Sequence, residues 1–452
     1  MNFKNSNILV FGLGRSGYSA ANLLHKSGAK VTAIDSAPAD KIMADLLELA
    51  GKGIEVITGD NLPGHLKDKD LLVVSPGIPL NNPLIRAAIE SAIPVIGELE
   101  LAARFCESDI VALTGTNGKS TACSLTGEIF SRAGISNRVL GNIGTPLSDE
   151  IPLKTKVAVV EVSSYQLETI DSFHPSISVW LNLTPDHLQR HGTMDAYGAA
   201  KSRIFSNQRG DDVVVYNADD PRVVKAVRSA DCRVMPFSQE IPAGVYVENG
   251  VMRYDWDGAS GEIIAIDEIR IKGRHNIENA LAAAGASIAY GIDPKFIAEA
   301  LINFPGIEHR QEFTAEIDSV KYINDSKATN LDSTLKALET VSAPIILIAG
   351  GRGKGESYVP AGNLIKEKVK LIIAIGETKD QIEDELSDSA PVIKASDLED
   401  AVLSGKNAAN PGDTILLSPM CASFDMYSDF EERGRDFKTI VQNLADGKTE
   451  KK

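Results

Sequence analysis

Short apolar runs recur along the chain, and nearly all of them end on glycine, serine, proline or an acidic side chain. The first, Ile8 to Phe11, meets Gly12-Leu13-Gly14-Arg15-Ser16-Gly17. A helical pattern through Ala20, Ala21, Leu23 and Leu24 then runs to Gly28, and a second apolar run, Val31 to Ile34, closes on Asp35. This is a βαβ unit, because such glycines permit a tight turn and a close approach of phosphate to the helix N-terminus. Leu71 to Val74, ending in Ser75-Pro76-Gly77, and Pro94 to Ile96 are further strands of the same block.

A second block opens near Glu98 with a helix and continues through strands at Ile110 to Leu113, Val157 to Val160, Ile177 to Leu181 and Val213 to Tyr216. Short buried strands separated by helices predict a parallel sheet. From Val245 to Ile271 the segments shorten and alternate, which predicts a small antiparallel excursion. Phe304-Pro305-Gly306 breaks the preceding helical pattern, and a third block carries strands at Ile345 to Ala349, Leu371 to Ile375 and Thr414 to Leu417. The predicted fold class is α/β with three domains, over residues 1–97, 98–304 and 305–452, with a polar tail from Gly447 that should fray. Ligands in such sheets collect at the carboxyl ends of the strands.

Composition narrows the partners. The 452 residues, 43% hydrophobic, are enough for two or three cores of ordinary size. With 62 acidic and 46 basic residues the net charge is -16, and no basic patch offsets it, which argues against a nucleic-acid partner. Met1 to Asn7 does not read as a signal peptide, and no apolar run approaches the roughly 18 residues that span a bilayer, so a cytoplasmic protein without a membrane partner is expected. Cys106, Cys123, Cys232 and Cys421 form no CxxC pair and are expected as buried free thiols rather than a disulfide framework or zinc site.

The strand at Ile110 leads into Thr114-Gly115-Thr116-Asn117-Gly118-Lys119-Ser120-Thr121. Glycines 115 and 118 let the backbone curl so that its N–H groups face phosphates, Lys119 adds positive charge, and Ser120 or Thr121 can place a hydroxyl on Mg2+. The spacing is shorter than GxxxxGK[ST], since only Thr116 and Asn117 separate the two glycines. Glu161 finishes the next strand, where a carboxylate could reach a hard cation. Asn182-Leu183-Thr184-Pro185-Asp186-His187 ends another; His187 is the better site candidate, and His191 reads as structural. Lys201, within Ala199-Ala200-Lys201-Ser202-Arg203, reads on its own as an ordinary exposed helix lysine.

Together these segments resemble the Mur ligases of peptidoglycan synthesis over essentially the whole chain. The resemblance is carried by GTNGKST at 115–121, GNIGTP at 141–146, EVSSYQLE at 161–168, NLTPDHLQRHG at 182–192 and NADD at 217–220. It continues through GRHNIENALAA at 273–283, HR at 309–310, NDSKATN at 324–330 and SPMCASFDMYSDFEERG at 418–434. It implies an N-terminal Rossmann-like domain for a uridine nucleotide sugar, a central P-loop ATPase with a mostly parallel sheet, and a C-terminal Rossmann-like domain that closes over the site. It further implies a monomer using two small-molecule substrates, UDP-N-acetylmuramoyl-L-alanine and D-glutamate, with ATP and two Mg2+ ions.

By that resemblance Lys119 would hold the ATP phosphates within the loop Gly115 to Thr121, Ser120 and Glu161 would share one Mg2+, and His187 and Glu161 would serve the second. Lys201 matches the lysine that the family carbamylates with CO2, where a carbamate anion supports the dimetal site. Asn276, Arg310 and Asp325 match positions around the adenine and ribose, with His309 in the same neighbourhood. Lys327, Thr329, Lys354, Ser423 and Phe430 match the closing segment and the amino-acid site. Gly14, Arg15, Ser16, Asp35, Ser36, Ser75, Gly77, Asn142 and His187 match the nucleotide-sugar site.

The implied chemistry is ligation through an acyl phosphate, with His187 or solvent taking the proton from the incoming amine. Another ATP-dependent amide ligase, either a neighbouring member of the peptidoglycan series or a folylpolyglutamate-type enzyme, an NAD-dependent oxidoreductase using Gly12 to Gly17 and Asp35, and a nonenzymatic nucleotide scaffold are the competing readings. The oxidoreductase reading leaves Lys119, Glu161 and Lys201 unexplained, and the scaffold reading needs neither a dimetal centre nor a closing amino-acid pocket.

Overall fold

The computed structural model describes residues 3–36, 43–59, 63–142, 144–353, 355 and 357–447. Three sheets organise the chain, each built from the apolar runs read above.

The first contains β1 (Asn7–Phe11), β2 (Lys30–Asp35), β3 (Glu55–Thr58), β4 (Leu71–Val74) and β5 (Val95–Gly97), all parallel, in the order β3-β2-β1-β4-β5. The change of direction between β1 and β4 puts the glycine turn at the switch point, where open α/β sheets hold ligands.

The second sheet contains β6 (Asp109–Thr114), β7 (Asn137–Gly141), β8 (Val157–Glu161), β9 (Ile177–Trp180), β10 (Gly210–Asn217), β11 (Cys232–Ser238), β12 (Gly244–Glu248), β13 (Val251–Trp256) and β14 (Ala259–Ala265). Their order is β14-β13-β12-β11-β10-β9-β6-β8-β7. Only β12, β13 and β14 pair antiparallel, the excursion expected between Val245 and Ile271. β6, β8 and β9 are buried nearly end to end, which is why they read as continuous apolar runs.

The third sheet contains β15 (Glu312–Ile317), β16 (Val320–Asn324), β17 (Ile345–Gly350), β18 (Val369–Ile375), β19 (Val392–Lys394) and β20 (Thr414–Leu417), in the order β15-β16-β20-β17-β18-β19. β15 pairs antiparallel with β16 at the edge, and the other pairings are parallel. Strands β3, β7, β11, β15, β16 and β19 escape the sequence reading because each is short, half-exposed or interrupted by polar residues.

The chain divides into two compact units, Met1–Phe304 and Pro305–Lys452. Within the first, one hydrophobic core runs from Ile8 and Leu13 through Leu99, Leu101 and Leu147 to Val160 and Trp180, so the first and second sheets share an interior. The four cysteines are free; Cys123 and Cys421 are buried as expected, whereas Cys106 and Cys232 are only partly covered. No helix among the described residues is long and apolar enough to cross a membrane.

Candidate active site

The phosphate loop joins β6 to the helix Lys119–Arg132. Gly118 caps that helix in the left-handed region at φ 82°, a conformation that favours glycine, and a Cβ there would stand 2.1 Å from Asn279 Oδ1, so that side chain would have to shift. Two of the loop N–H groups expected to face phosphate are engaged elsewhere. Asn182 Oδ1, just beyond β9, accepts from Thr116 N at 3.0 Å and Asn117 N at 2.9 Å, and its Nδ2 donates to Asn117 O at 3.2 Å. The feature of this loop that could attract an anion is the positive dipole end of the helix at residues 119–121. Lys119 Nζ curls back to the carbonyls of Gly115 and Thr116, at 2.9 and 2.8 Å.

Lys201, on the helix Met194–Ser202, is 1% exposed. Its Nζ donates to Gly115 O at 2.7 Å and lies 4.8 Å from the centre of the Tyr197 ring, four residues earlier on the same helix. Both lysines thus meet one loop carbonyl. Burial first, and the Lys119 charge second, hold the Lys201 amine well below the usual lysine range. The surface position suggested by its local sequence is overturned by packing against β6 and Tyr197.

Glu161 ends β8 with 2% exposure. Its Oε1 accepts from Asn142 Nδ2 at 2.7 Å, and its Oε2 is buried with no hydrogen-bond partner among the described residues. A Cβ on Gly141 would approach Glu161 O to 2.4 Å, so glycine lets Asn142 lie across the end of β8. An unsatisfied buried carboxylate oxygen is costly, and oxygen is the donor that Mg2+ selects. These residues fit a hard divalent cation.

His187 sits in the left-handed region at φ 53°, with its ring 5.0 Å from Tyr165 and its Nε2 3.4 Å from Asp186 Oδ2. Burial lowers its pKa; Asp186 opposes this, and Lys119 and Lys201 reinforce it. His191 is instead packed between Tyr165 and Tyr197, with Nε2 3.0 Å from Ser164 Oγ and Nδ1 3.4 Å from Glu168 Oε1.

In the first sheet, Asp35 Oδ2 accepts from Leu13 N at 2.6 Å and so ties the glycine turn to the end of β2. A Cβ on Gly17 would fall 1.7 Å from Gly12 O, and Ser75 Oγ donates to that carbonyl at 2.8 Å. Gly14, Arg15, Ser36 and Gly77 are exposed around this turn and Ser16 partly so. Arg15 Nη1 reaches Gly144 O at 2.7 Å, joining the turn to the loop that carries Asn142.

Asn276 lies in the first turn of the helix Arg274–Tyr290, donating to Lys272 O at 2.8 Å and accepting from Asn279 Nδ2 at 3.2 Å. A cavity of about 710 Å³ opens beside it, lined by Gly273 and Ile277 among others but by no phosphate-loop residue.

In the second unit, Asp325 follows β16 and accepts from Ser418 Oγ at 2.7 Å and Gln311 N at 3.1 Å. Burial pushes its pKa up to about 7, against the opposing Ser418, Arg310 and Gln311. Lys327 N donates to the carbonyl of buried His309 at 3.0 Å, Thr329 N to Lys327 O at 2.8 Å, and Lys327 Nζ lies 5.6 Å from the centre of the Phe430 ring. Ser423 is buried just beyond β20, and its carbonyl accepts from Tyr427 N at 2.9 Å. Lys354 lies outside the described residues.

Asn182, Tyr197 and Asn279 are neighbours of the loop and of Lys201 to which the sequence reading assigns no role. Tyr197 carries a usable signal, its i,i+4 spacing from Lys201; Asn182 and Asn279 meet the loop only through the fold.

Three α/β sheets, the middle one carrying a phosphate loop with two lysines and a buried carboxylate at its strand ends, define a multidomain nucleotide-dependent enzyme. The chain belongs to the Mur ligase family. Residues 6–97 match the Mur ligase MurD-like N-terminal domain, 113–287 the Mur ligase middle domain, and 309–421 the Mur ligase glutamate ligase domain. It is 45% identical to the UDP-N-acetylmuramoylalanine--D-glutamate ligase of Pelotomaculum thermopropionicum, covering 98% of this chain and 99% of that one. It is 42% identical to the protein of the same name from Koribacter versatilis, covering 99% of both. Among solved structures, the UDP-N-acetylmuramate-alanine ligase of Thermotoga maritima shares the fold with a TM-score of 0.59 at 18% identity, over 97% of this chain and 99% of that one.

Proposed function

We propose that the protein joins D-glutamate to UDP-N-acetylmuramoyl-L-alanine at the expense of ATP, acting in the cytoplasm as a monomer. The observation that carries this reading is the match at 45% identity, along nearly the full length of both chains, to a ligase of that name. The assigned division of labour gives residues 1–97 the uridine nucleotide, 98–304 the ATP and 305–452 the amino acid.

The lone carboxylate of the nucleotide sugar is a poor acyl donor, because its oxygen is a poor leaving group. Transfer of the γ-phosphoryl group to that oxygen forms an acyl phosphate and releases ADP. The amine of D-glutamate then attacks the acyl carbon and phosphate leaves. Lys119 and the first turn of its helix would offset negative charge on the phosphoryl oxygens. Ser120, Glu161, His187 and modified Lys201 would hold two Mg2+ ions, which supply charge neutralisation for the same oxygens. Asn276, Arg310 and Asp325 would receive the nucleoside of ATP. Gly14, Arg15, Ser16, Asp35, Ser36, Ser75, Gly77, Asn142 and His187 would receive the nucleotide sugar. Lys327, Thr329, Lys354, Ser423 and Phe430 would receive the amino acid.

Lys201 supports its part on physical grounds. Burial that lowers the pKa of the Lys201 amine makes its lone pair easier to free for attack on CO2, forming an N–C bond with loss of a proton, and the resulting carbamate puts an anion where a protonated amine would repel metal ions beside Lys119. His187, kept neutral by burial, retains a lone pair for metal or proton.

The test is phosphate release by the purified protein with ATP, Mg2+, bicarbonate and UDP-N-acetylmuramoyl-L-alanine, offering D-glutamate, L-glutamate, L-lysine or D-alanine and reading product mass in parallel. Release with a one-glutamate mass gain for D-glutamate alone is the expected result; release with another amino acid alone, or none, overturns the reading.

A further inference from the structure

Arg433 lies in the helix Phe430–Ala445 and is fully buried, at 0% exposure. Its guanidinium meets neutral acceptors from two separate loops. Nε donates to Ser326 Oγ at 3.0 Å and Nη2 to Ser326 O at 2.8 Å. On the other side Nη2 reaches Cys421 O at 3.2 Å and Nη1 reaches Ala422 O at 3.4 Å. Ser326 Oγ in turn donates to Phe430 O at 2.8 Å, which ties the loop after β16 to the start of the arginine's own helix.

Burying a guanidinium without a directly bonded carboxylate is expensive, and a neutral side chain of similar volume ordinarily serves stability as well or better. Burial brings its pKa down to about 10, against the opposing Cys421, Asp425 and Tyr427, so it remains a cation at neutral pH. What a neutral side chain cannot do is make all four of these donations at once, because only the guanidinium presents five donors in a fixed plane. The residues immediately after the clamped carbonyls are Lys327 and Ser423. Because a trans peptide sets N–H opposite C=O, drawing Ala422 O toward the arginine turns the Ser423 N–H to the far side.

We propose that Arg433 is a positioning residue for the amino-acid substrate: it sets the spacing between the Ser326–Thr329 loop, the Cys421–Ser423 loop and Phe430 without touching the ligand. The inference rests on the assignment of Lys327, Thr329, Ser423 and Phe430 to the amino-acid site.

The experiment compares full-length wild type, Arg433→Lys, Arg433→Met and Ser326→Ala, measuring KM for D-glutamate, ATP and the nucleotide sugar separately, together with Tm. Arg433→Lys keeps the charge but loses the fork, and Ser326→Ala removes one small hydroxyl from an otherwise intact fold. The expected outcome is at least a tenfold rise in KM for D-glutamate in Arg433→Lys and a smaller rise in Ser326→Ala, with the other two KM values within twofold of wild type. Arg433→Met is expected to show the D-glutamate defect even if its Tm is unchanged or higher. Unchanged KM for D-glutamate in Arg433→Lys and Ser326→Ala, or parallel shifts of all three KM values, overturns the proposal. Wild type that does not turn over D-glutamate overturns the function reading instead, before any variant is compared.

Discussion

Asn182 Oδ1 accepts the N–H groups of both Thr116 and Asn117, at 3.0 and 2.9 Å, so the crest of the phosphate loop is held by a side chain from the end of a neighbouring strand. A loop braced in this way before nucleotide arrives would lower the ordering cost of binding. Asn182→Ala takes the side-chain acceptor from both donors, although Thr116 N keeps the Asn182 carbonyl at 3.1 Å. Titration with ATP should show KM raised about tenfold, and thermal melting should show a loss of about 1–3 kcal/mol. Unchanged KM for ATP would mean that the loop holds its shape without Asn182.

Gly118→Ala tests the conformation of the same loop. The new Cβ would meet Asn279 Oδ1 at 2.1 Å in a left-handed conformation, so the buried Asn279 side chain must shift and the backbone is strained. The expected cost is about 1–3 kcal/mol in a denaturant melt, with ATP-dependent phosphate release falling at least tenfold. A variant with wild-type turnover would show that the loop tolerates displacement.

Lys201→Met tests the buried amine. A base whose folded pKa is lowered binds fewer protons folded than unfolded, so the unmodified side chain destabilises the protein at neutral pH, and that deficit shrinks as pH rises toward about 10.4. In CO2-free buffer at pH 7 the methionine variant should therefore melt above wild type while losing turnover. Added bicarbonate should raise wild-type activity and leave the variant unaffected. A lower Tm for the variant in CO2-free buffer would show that Lys201 is not a destabilising buried base.

Asp325 gives a pH dependence of opposite sense. Its folded pKa, about 7, lies above the ordinary value, so the folded form retains a proton that the unfolded chain has released. The stability this confers is full below pH about 4 and is lost as pH rises through 7, with a limiting slope of about 1.4 kcal/mol per pH unit. Denaturant midpoints of the full-length protein from pH 5 to 8 should fall more steeply in wild type than in Asp325→Asn. Parallel curves would mean that Asp325 ionises as an exposed carboxylate does.

The sequence alone determined what depends on neighbours along the chain. The apolar runs at Ile8, Ile110, Val157, Ile177 and Ile345 read as strands because a buried parallel strand is apolar on both faces, and the turns after them read as ligand loops because glycine and lysine cluster there. The same locality explains the omissions: β15 and β16 carry charges among their apolar residues because they form a partly exposed edge, and β3 is too short to show a period. Only the tertiary structure decided the environment of single side chains. Lys201 and an exposed helix lysine have the same local sequence signature; Gly115, Thr114 and Tyr197 make it a buried amine. Arg433 looks like any helical arginine until Ser326, 107 residues away, and the loop at Cys421 supply its acceptors. Asn182 becomes the brace of the phosphate loop only when β9 aligns beside β6. Periodicity is a property of a segment, whereas burial, charge state and partner choice arise from distant segments meeting, and no local pattern encodes that meeting.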